Sequence, residues 1–238
     1  MEQLEPLLIK PVKGTKKPLA ILVDFDGTAC AYDVGNLLFA RFSQSGWSKV
    51  IKSWERGEMD SRECLIEESK LTRATRQDFA DFVSQFKPAP GFAEFANACR
   101  SEGIPLLVVS DGFDFYIHRI FSRHKLDWVE VRANHLIFTG EDTFEPEFPF
   151  YQYGCSICGN CKFHHFNELA NIAEHVIFIG DGHSDRYCAP LAHTIYARRN
   201  KSLGKHLKTM GLPFIPFDDF HEITNQIFGR ERLIMVGT

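Results

Sequence analysis

Short apolar runs, each closed by small or polar residues, divide the chain. Leu19 to Asp24, Ile104 to Val109, Val176 to Ile179 and Thr194 to Ala197 are too short for helices and read as strands. Between them apolar positions recur every three or four residues. That spacing predicts helices over Phe92 to Ser101 (closed by Gly103), Phe113 to Arg123, Lys162 to about Ile172, and Ser184 to Ala192. Two more are predicted over Asn200 to Met210 and Asp218 to Phe228. From Trp128 to Phe148 the pattern turns to short alternating pieces, with turns at Ala133-Asn134-His135 and Thr139-Gly140-Glu141-Asp142, which predicts β-hairpins.

The stretch from Asp33 to about Lys87 is different. It holds Trp47, Trp54 and many charges, and no strand pattern. Asp60 with Glu63, and Thr75 with Asp78, have the spacing of helix N-terminal capping boxes. Strand–helix alternation around such an insertion predicts an α/β fold: a Rossmann-like doubly wound parallel sheet with an inserted helical cap. Residues 1–33 and 89–238 would form the core and residues 34–88 the cap. Ligands of such sheets sit at the carboxyl ends of strands, near a switch in strand order.

A chain of 238 residues with 44% hydrophobic and 13% aromatic content can bury a full core and carry a subdomain. A net charge of −4 gives no basis for nucleic-acid binding, and no apolar run reaches membrane-spanning length. Met1 to Lys17 has two acids and no signal-peptide core, and reads as a loosely ordered lead-in. Seven cysteines, odd in number and scattered, suit a reducing, cytoplasmic setting better than a disulfide scaffold. Nothing in the sequence speaks to oligomeric state.

Polar clusters follow the three main strands. In Ile21 to Thr28, side chains alternate, so Asp24 and Asp26 point one way and Phe25 the other. Two crowded carboxylates repel unless a cation or a shared proton relieves them, and Mg²⁺ prefers such oxygen ligands. A calcium loop starting at Asp24 is excluded, because Ala29 and Gly35 occupy the places of its Gly and Glu. Asp24 is the candidate nucleophile for a phosphoryl group and Asp26 the candidate acid and base. The Ser110 hydroxyl, with the Asp111 and Gly112 amides, could hold phosphate oxygens at a helix start. Lys162 could neutralise Asp24 and the phosphoryl group, and Asp181 with Asp185 could complete a Mg²⁺ site. Taken singly, Ser110 could be a helix cap, Lys162 a surface lysine, Asp181 a turn residue and Asp185 a first-turn helix acid. Their order is what carries the reading.

That order, Asp24/Asp26/Thr28, then Ser110, Lys162, and Gly180-Asp181 with Asp185, resembles the haloacid-dehalogenase-like phosphatases over nearly the whole chain. The insertion resembles the helical cap of the phosphoserine-phosphatase-like branch. The resemblance implies a small phosphomonoester as substrate, a phosphoaspartyl intermediate on Asp24, and acid–base work by Asp26. It also implies Mg²⁺ held by Asp24, the Asp26 carbonyl and Asp181, with Asp185 behind them. Thr28, Asp111 and Gly112 would face the substrate. So would Asp33, nine residues after the nucleophile, where phosphoserine phosphatases carry a substrate-binding acid. Ser110-Asp111-Gly112 departs from their Ser-Gly-Gly and places an acid beside the phosphate. Trp54, Gly57, Asp60 to Cys64 and Pro90-Gly91-Phe92 look more like the 2-hydroxy-3-keto-5-methylthiopentenyl-1-phosphate phosphatases.

Cys155, Cys158 and Cys161, with His164 and His165 beyond, could form a zinc site, a reversible disulfide or plain thiols. Arg198 to Lys208 is a basic stretch that reads as a solvated helix face. A dinucleotide-binding oxidoreductase is the competing class, on the strength of Gly180-Asp181-Gly182. However, Asp185 stands where the last Gly of that motif belongs, and Asp181 would repel a pyrophosphate.

Overall fold

The computed structural model describes residues 16–151 and 158–229. In chain order these form β1 (Lys17–Asp24), α1 (Val34–Phe42), α2 (Trp47–Glu55), α3 (Ser61–Leu71), α4 (Arg76–Val83) and α5 (Phe92–Ser101). Then come β2 (Leu106–Phe113), α6 (Asp114–Arg123), β3 (Glu130–Phe138), β4 (Phe144–Glu147), α7 (Lys162–Ile172) and β5 (Ala173–Gly180). A short 3₁₀ turn (Ala189–Leu191), β6 (Thr194–Arg198), α8 (Ser202–Thr209), β7 (Ile215–Phe217) and α9 (Phe220–Phe228) complete the described chain.

The strands form one seven-stranded sheet in the order β4-β3-β2-β1-β5-β6-β7, parallel except for the β3–β4 hairpin. The chain winds outward from β1 to β4 on one side and then returns to lay β5 against the other side of β1. The switch in strand order therefore falls at β1. Its last residue, Asp24, pairs in register with Val109 of β2.

Alternation along β1 feeds two cores. Ile21 and Val23 join the cluster that holds Phe25, Phe92, Phe113 and Phe121, while Ala20 and Leu22 join the one with Val109, Leu169 and Phe178. Each fully buried aromatic or branched side chain contributes on the order of 2 kcal/mol. Both faces of the sheet are thus covered, as parallel strands require. α9 closes the first core by setting Phe220 against Phe92 and Phe95.

Four helices, α1 to α4, lie between β1 and the return of the chain at Pro88 to Phe92. Both capping boxes form: the Glu63 amide donates to Asp60 Oδ1 at 2.7 Å, and the Asp78 amide to Thr75 Oγ1 at 3.1 Å. Trp47 and Trp54 of α2 donate to Glu68 (2.7 Å) and Ser61 (3.1 Å) of α3, which ties the two helices together.

Several expectations are corrected. Ser184 to Ala192 is a run of turns ending in the 3₁₀ turn, not a helix. Asp185 is spent on backbone and Lys162 contacts there, so no helix starts from it. Ala133-Asn134-His135 lies inside β3, paired to β2 and β4, because Asn134 is buried and bonds sideways to the Asp111 carbonyl. The region from Trp128 to Phe148 forms a single hairpin. β2 continues through Ser110-Asp111-Gly112 to Phe113, with an irregular register after Val109, and α6 begins only at Asp114. The expected lead-in falls almost wholly outside the described residues, as does Cys155. No described helix is long and apolar enough to cross a membrane.

Candidate active site

β1 ends at Asp24, and the chain turns through Gly27, whose φ of +78° favours glycine. A Cβ there would lie 2.2 Å from Asp181 Oδ2, so the turn also needs glycine for space. This close approach brings the loop after β1 against the loop after β5. α7 supplies Lys162 from its first position. Its ammonium lies 2.5 Å from Asp24 Oδ1, 2.6 Å from Asp185 Oδ1 and 2.9 Å from Ser184 Oγ, and it is only 3% exposed. It is not a surface lysine.

Asp24, Asp181 and Asp185 offer carboxylate oxygens within 4.8 Å of one another. Burial first, then the Asp185 charge, pushes the Asp24 carboxyl well above its ordinary range, although Lys162 works against this. Burial and Asp185 raise Asp181 to about 6 despite Lys201 and Lys162. Burial opposes the charge on Lys162, yet Asp185 and Asp24 outweigh it and hold that ammonium well above its usual pKa. Two ammonium groups, buried Lys162 and the half-exposed Lys201 near Asp181, face three carboxylates and leave a net negative charge. A divalent cation with oxygen ligands fits that imbalance, and these residues present the oxygens for it.

Asp26 opens on the other side of the same cavity. Its Oδ1 accepts from the Val34 amide (2.8 Å) and, less closely, the Gly35 amide (3.3 Å). Its Oδ2 accepts from Tyr116 Oη (2.7 Å) and Ser110 Oγ (3.1 Å). Burial, then the Asp33 charge, raises Asp26 to about 7 against these hydrogen bonds. Ser110 also accepts from the Gly112 amide at 2.9 Å, so that amide is turned to its own strand and caps no helix. The Asp111 carboxyl accepts from the Asn160 amide at 2.8 Å and is hydrogen-bonded by Ser61 of α3. Asn160 also donates to the carbonyls of Ser110 and Arg132, both at 2.8 Å, so it braces β2 from behind. Asp33 caps α1, accepting from the Asn36 amide at 2.9 Å, and also lines the cavity.

A cavity of about 280 Å³ thus brings together Asp24, Asp26, Asp33, Ser110, Asp111, Gly112 and Asp181, with Lys162 and Asp185 just behind. Thr28 is left out. Its hydroxyl is fully buried with no described hydrogen-bond partner, and it does not line the cavity. Of the cysteine turn, Cys158 and Cys161 are described. A hydrogen bond from Cys158 is the main reason the Cys161 thiol is held down at about 6. His164, His165 and Glu168 cluster nearby, but the Arg132 guanidinium already contacts both Glu168 and His165. The dinucleotide reading loses its helix, since only turns follow Gly180-Asp181-Gly182.

Sequence reasoning missed Tyr116, Asn160, Glu68 and Lys201. Tyr116 and Glu68 sat on helices as unremarkable face residues. Lys201, read as part of a solvated face, lies 3.4 Å from Asp181 Oδ2, and neighbouring Arg198 donates to the Gly27 carbonyl at 3.0 Å. Two basic residues beside a carboxylate cluster were the available signal.

A family profile for haloacid dehalogenase-like hydrolases matches residues 21–190. A 2-hydroxy-3-keto-5-methylthiopentenyl-1-phosphate phosphatase of Brevibacillus brevis is 30% identical over 215 residues, 87% of this chain and 94% of that protein. One of the same name from Bacillus velezensis is 28% identical, over 90% of this chain and 91% of its own. Among solved structures, a phospho-aspartyl intermediate analogue of phosphoserine phosphatase superposes with a TM-score of 0.68 at 23% identity, covering 90% of this chain and all of that one.

Proposed function

From the chain's membership of the haloacid dehalogenase-like hydrolases, as a phosphomonoesterase, we propose that it acts with Mg²⁺ through a phosphoaspartyl intermediate on Asp24, and that its substrate is 2-hydroxy-3-keto-5-methylthiopentenyl-1-phosphate. One observation supports this most. Asp24 and Asp26 open on one cavity, the first tied to an ammonium and the second to two hydroxyls, opposite Asp181.

In this reading an Asp24 oxygen attacks phosphorus while the bond to the leaving oxygen breaks. Asp26, protonated in part at neutral pH, gives its proton to that leaving oxygen. Tyr116 and Ser110 keep Asp26 aimed at the cavity. Asp26, now a carboxylate, takes a proton from water as the water oxygen attacks phosphorus, which frees Asp24 and inorganic phosphate. Lys162 stays charged throughout and steadies the Asp24 carboxylate before attack. Asp24, Asp181 and the Asp26 carbonyl would hold Mg²⁺, with Asp185 orienting Lys162 and the Asp181 amide. Bound Mg²⁺ would supply charge neutralisation for the phosphoryl oxygens.

The cavity wall favours the keto-enol phosphate. Phe39, Ile51, Trp54 and Leu65 give apolar surface for a methylthio tail. A serine phosphate would bring a carboxylate, and among the described residues lining the cavity no Lys or Arg stands ready to meet it. Residues 34–88 act as the cap in this reading, and the scattered cysteines fit a cytoplasmic enzyme. The test is kcat/KM across this ester, serine phosphate and a nucleoside monophosphate, with and without Mg²⁺. The expected result is Mg²⁺-dependent phosphate release, at least about tenfold better with the keto-enol ester. A preference for serine phosphate would overturn the substrate, and metal-independent release would overturn the mechanism.

A further inference from the structure

We propose that Glu68 of α3 selects the leaving group by donating a hydrogen bond from its carboxyl to a carbonyl oxygen on the departing fragment. This rests on the keto-enol phosphate reading above.

Glu68 is 4% exposed, yet it lines the cavity that holds Asp24 and Asp26. No described Lys or Arg pairs with it. Its Oε1 accepts from Trp47 Nε1 at 2.7 Å, and Cys64 Sγ on its own helix lies 3.8 Å from Oε2. The other charged group that faces it is Asp33, from the segment before α1. A buried carboxylate that meets a second acid and no cation is poorly placed to stay ionised. Burial, and then the Asp33 charge, raises Glu68 to about 7, against the hydrogen bonds from Trp47 and Cys64.

A neutral carboxyl has one proton to donate. The Trp47 N–H fixes Oε1 as an acceptor, so the proton belongs on Oε2, where the thiol contact is long. Glu68 then offers a donor and Asp33 an acceptor on one cavity. A leaving fragment with a hydroxyl beside a keto group presents a donor and an acceptor on adjacent carbons. A serine fragment carries its acceptor as a charged carboxylate, which would sit beside Asp33 with no described Lys or Arg in the cavity lining, and its ammonium gains nothing from Glu68 as a donor.

The test compares kcat/KM for 2-hydroxy-3-keto-5-methylthiopentenyl-1-phosphate with that for n-propyl phosphate, whose leaving oxygen also takes the Asp26 proton but which carries no carbonyl, so that the ratio cancels the common chemistry of Asp26. Glu68→Met removes the donor and should lower the ratio about tenfold or more near pH 6.5, mainly through KM. Glu68→Gln keeps an N–H donor and should hold the ratio within about threefold. In wild type the ratio should fall as pH rises through about 7, and in Glu68→Gln it should stay flat. An unchanged ratio in Glu68→Met, an equal fall in Glu68→Gln, or a flat wild-type profile would overturn the proposal. If Glu68→Met does not fold, the wild-type and Glu68→Gln profiles decide. Failure of the wild-type enzyme to hydrolyse the keto-enol ester at all would overturn the substrate reading, and this proposal with it. That outcome is visible before any variant is made.

Discussion

Lys162 Nζ lies 2.6 Å from Asp185 Oδ1, with both side chains closed to solvent. Asp185 in turn accepts from the amides of Asp181 and Gly182, at 3.0 and 2.9 Å. The pair therefore sets both the height of the lysine over Asp24 and the shape of the loop that carries Asp181. One buried acid governs two parts of the site.

Removing the lysine leaves buried Asp24 and Asp185 without a cation, while Asp181 keeps only the half-exposed Lys201. Lys162→Met should cost about 3–5 kcal/mol of stability, measured by urea unfolding in EDTA. Turnover should fall by about three orders of magnitude or more, measured as phosphate release. A variant as stable as wild type would show that the carboxylates are relieved by some other route.

Removing an acid should do the opposite. Asp24→Asn removes the carboxylate proposed as nucleophile and one of the crowded charges. We expect turnover to vanish while the metal-free variant melts at the same temperature as wild type or higher. Mg²⁺ should raise the melting temperature of wild type clearly and of Asp24→Asn little. EDTA should stop phosphate release by wild type. A metal-free variant that melts far below wild type would argue that Asp24 stabilises the fold.

The raised carboxyls also fix how stability depends on pH. Asp26 at about 7 and Asp181 at about 6 both lie above the unfolded value near 3.8, and Glu68 at about 7 lies above 4.5. The folded state therefore binds more protons than the unfolded state between those limits. Stability from these groups is full below about pH 4 and is lost as pH rises to about 7. In EDTA the loss should be several kcal/mol, up to about 8 kcal/mol if the three shifts add, read from urea midpoints at pH 4.5 and 7.5. A midpoint that rises with pH would contradict the assignment. Mg²⁺ should reduce the loss, because it favours the ionised form of Asp181.

Asp33 caps α1 and lines the cavity that holds Asp24, and two substitutions separate the cap from the proposed contact with substrate. Asp33→Asn keeps a capping oxygen and loses the charge. Asp33→Ala loses both. Asp33→Ala should cost about 1 kcal/mol and Asp33→Asn much less, by thermal melts. Both should lower kcat/KM for the keto-enol phosphate more than for p-nitrophenyl phosphate. Equal losses on the two substrates would leave Asp33 only its cap role.

The sheet was legible in the sequence because buried parallel strands carry their signal locally, in unbroken apolar runs. Asp24, Lys162 and Asp181 could be singled out because each stands at the end of such a run or the start of a helix. What failed depended on contacts made across the chain. Ser184 to Ala192 has helical spacing, yet Asp185 takes the amides of Asp181 and Gly182 and closes a turn instead. Asn134 looks like a turn residue until its amide is seen to reach the Asp111 carbonyl at 2.7 Å. Trp47, Ile51 and Trp54 had the spacing of α2, but the surrounding charges hid it. Tyr116 and Lys201 gain their places only when α6 and α8 are docked, and no local pattern carries that.

The central position of β1 has a consequence for how the protein is made. β1 is the earliest described strand to leave the ribosome, and β5, which completes its hydrogen bonding, ends at Gly180. While those residues are awaited, one edge of an apolar strand stands open, and Asp24 has neither Lys162 nor the Asp181 loop beside it. Chains stopped before β5 should therefore be prone to pairing with one another along that edge. The candidate site cannot be complete until β5 and the Asp181 loop have been made and laid against β1.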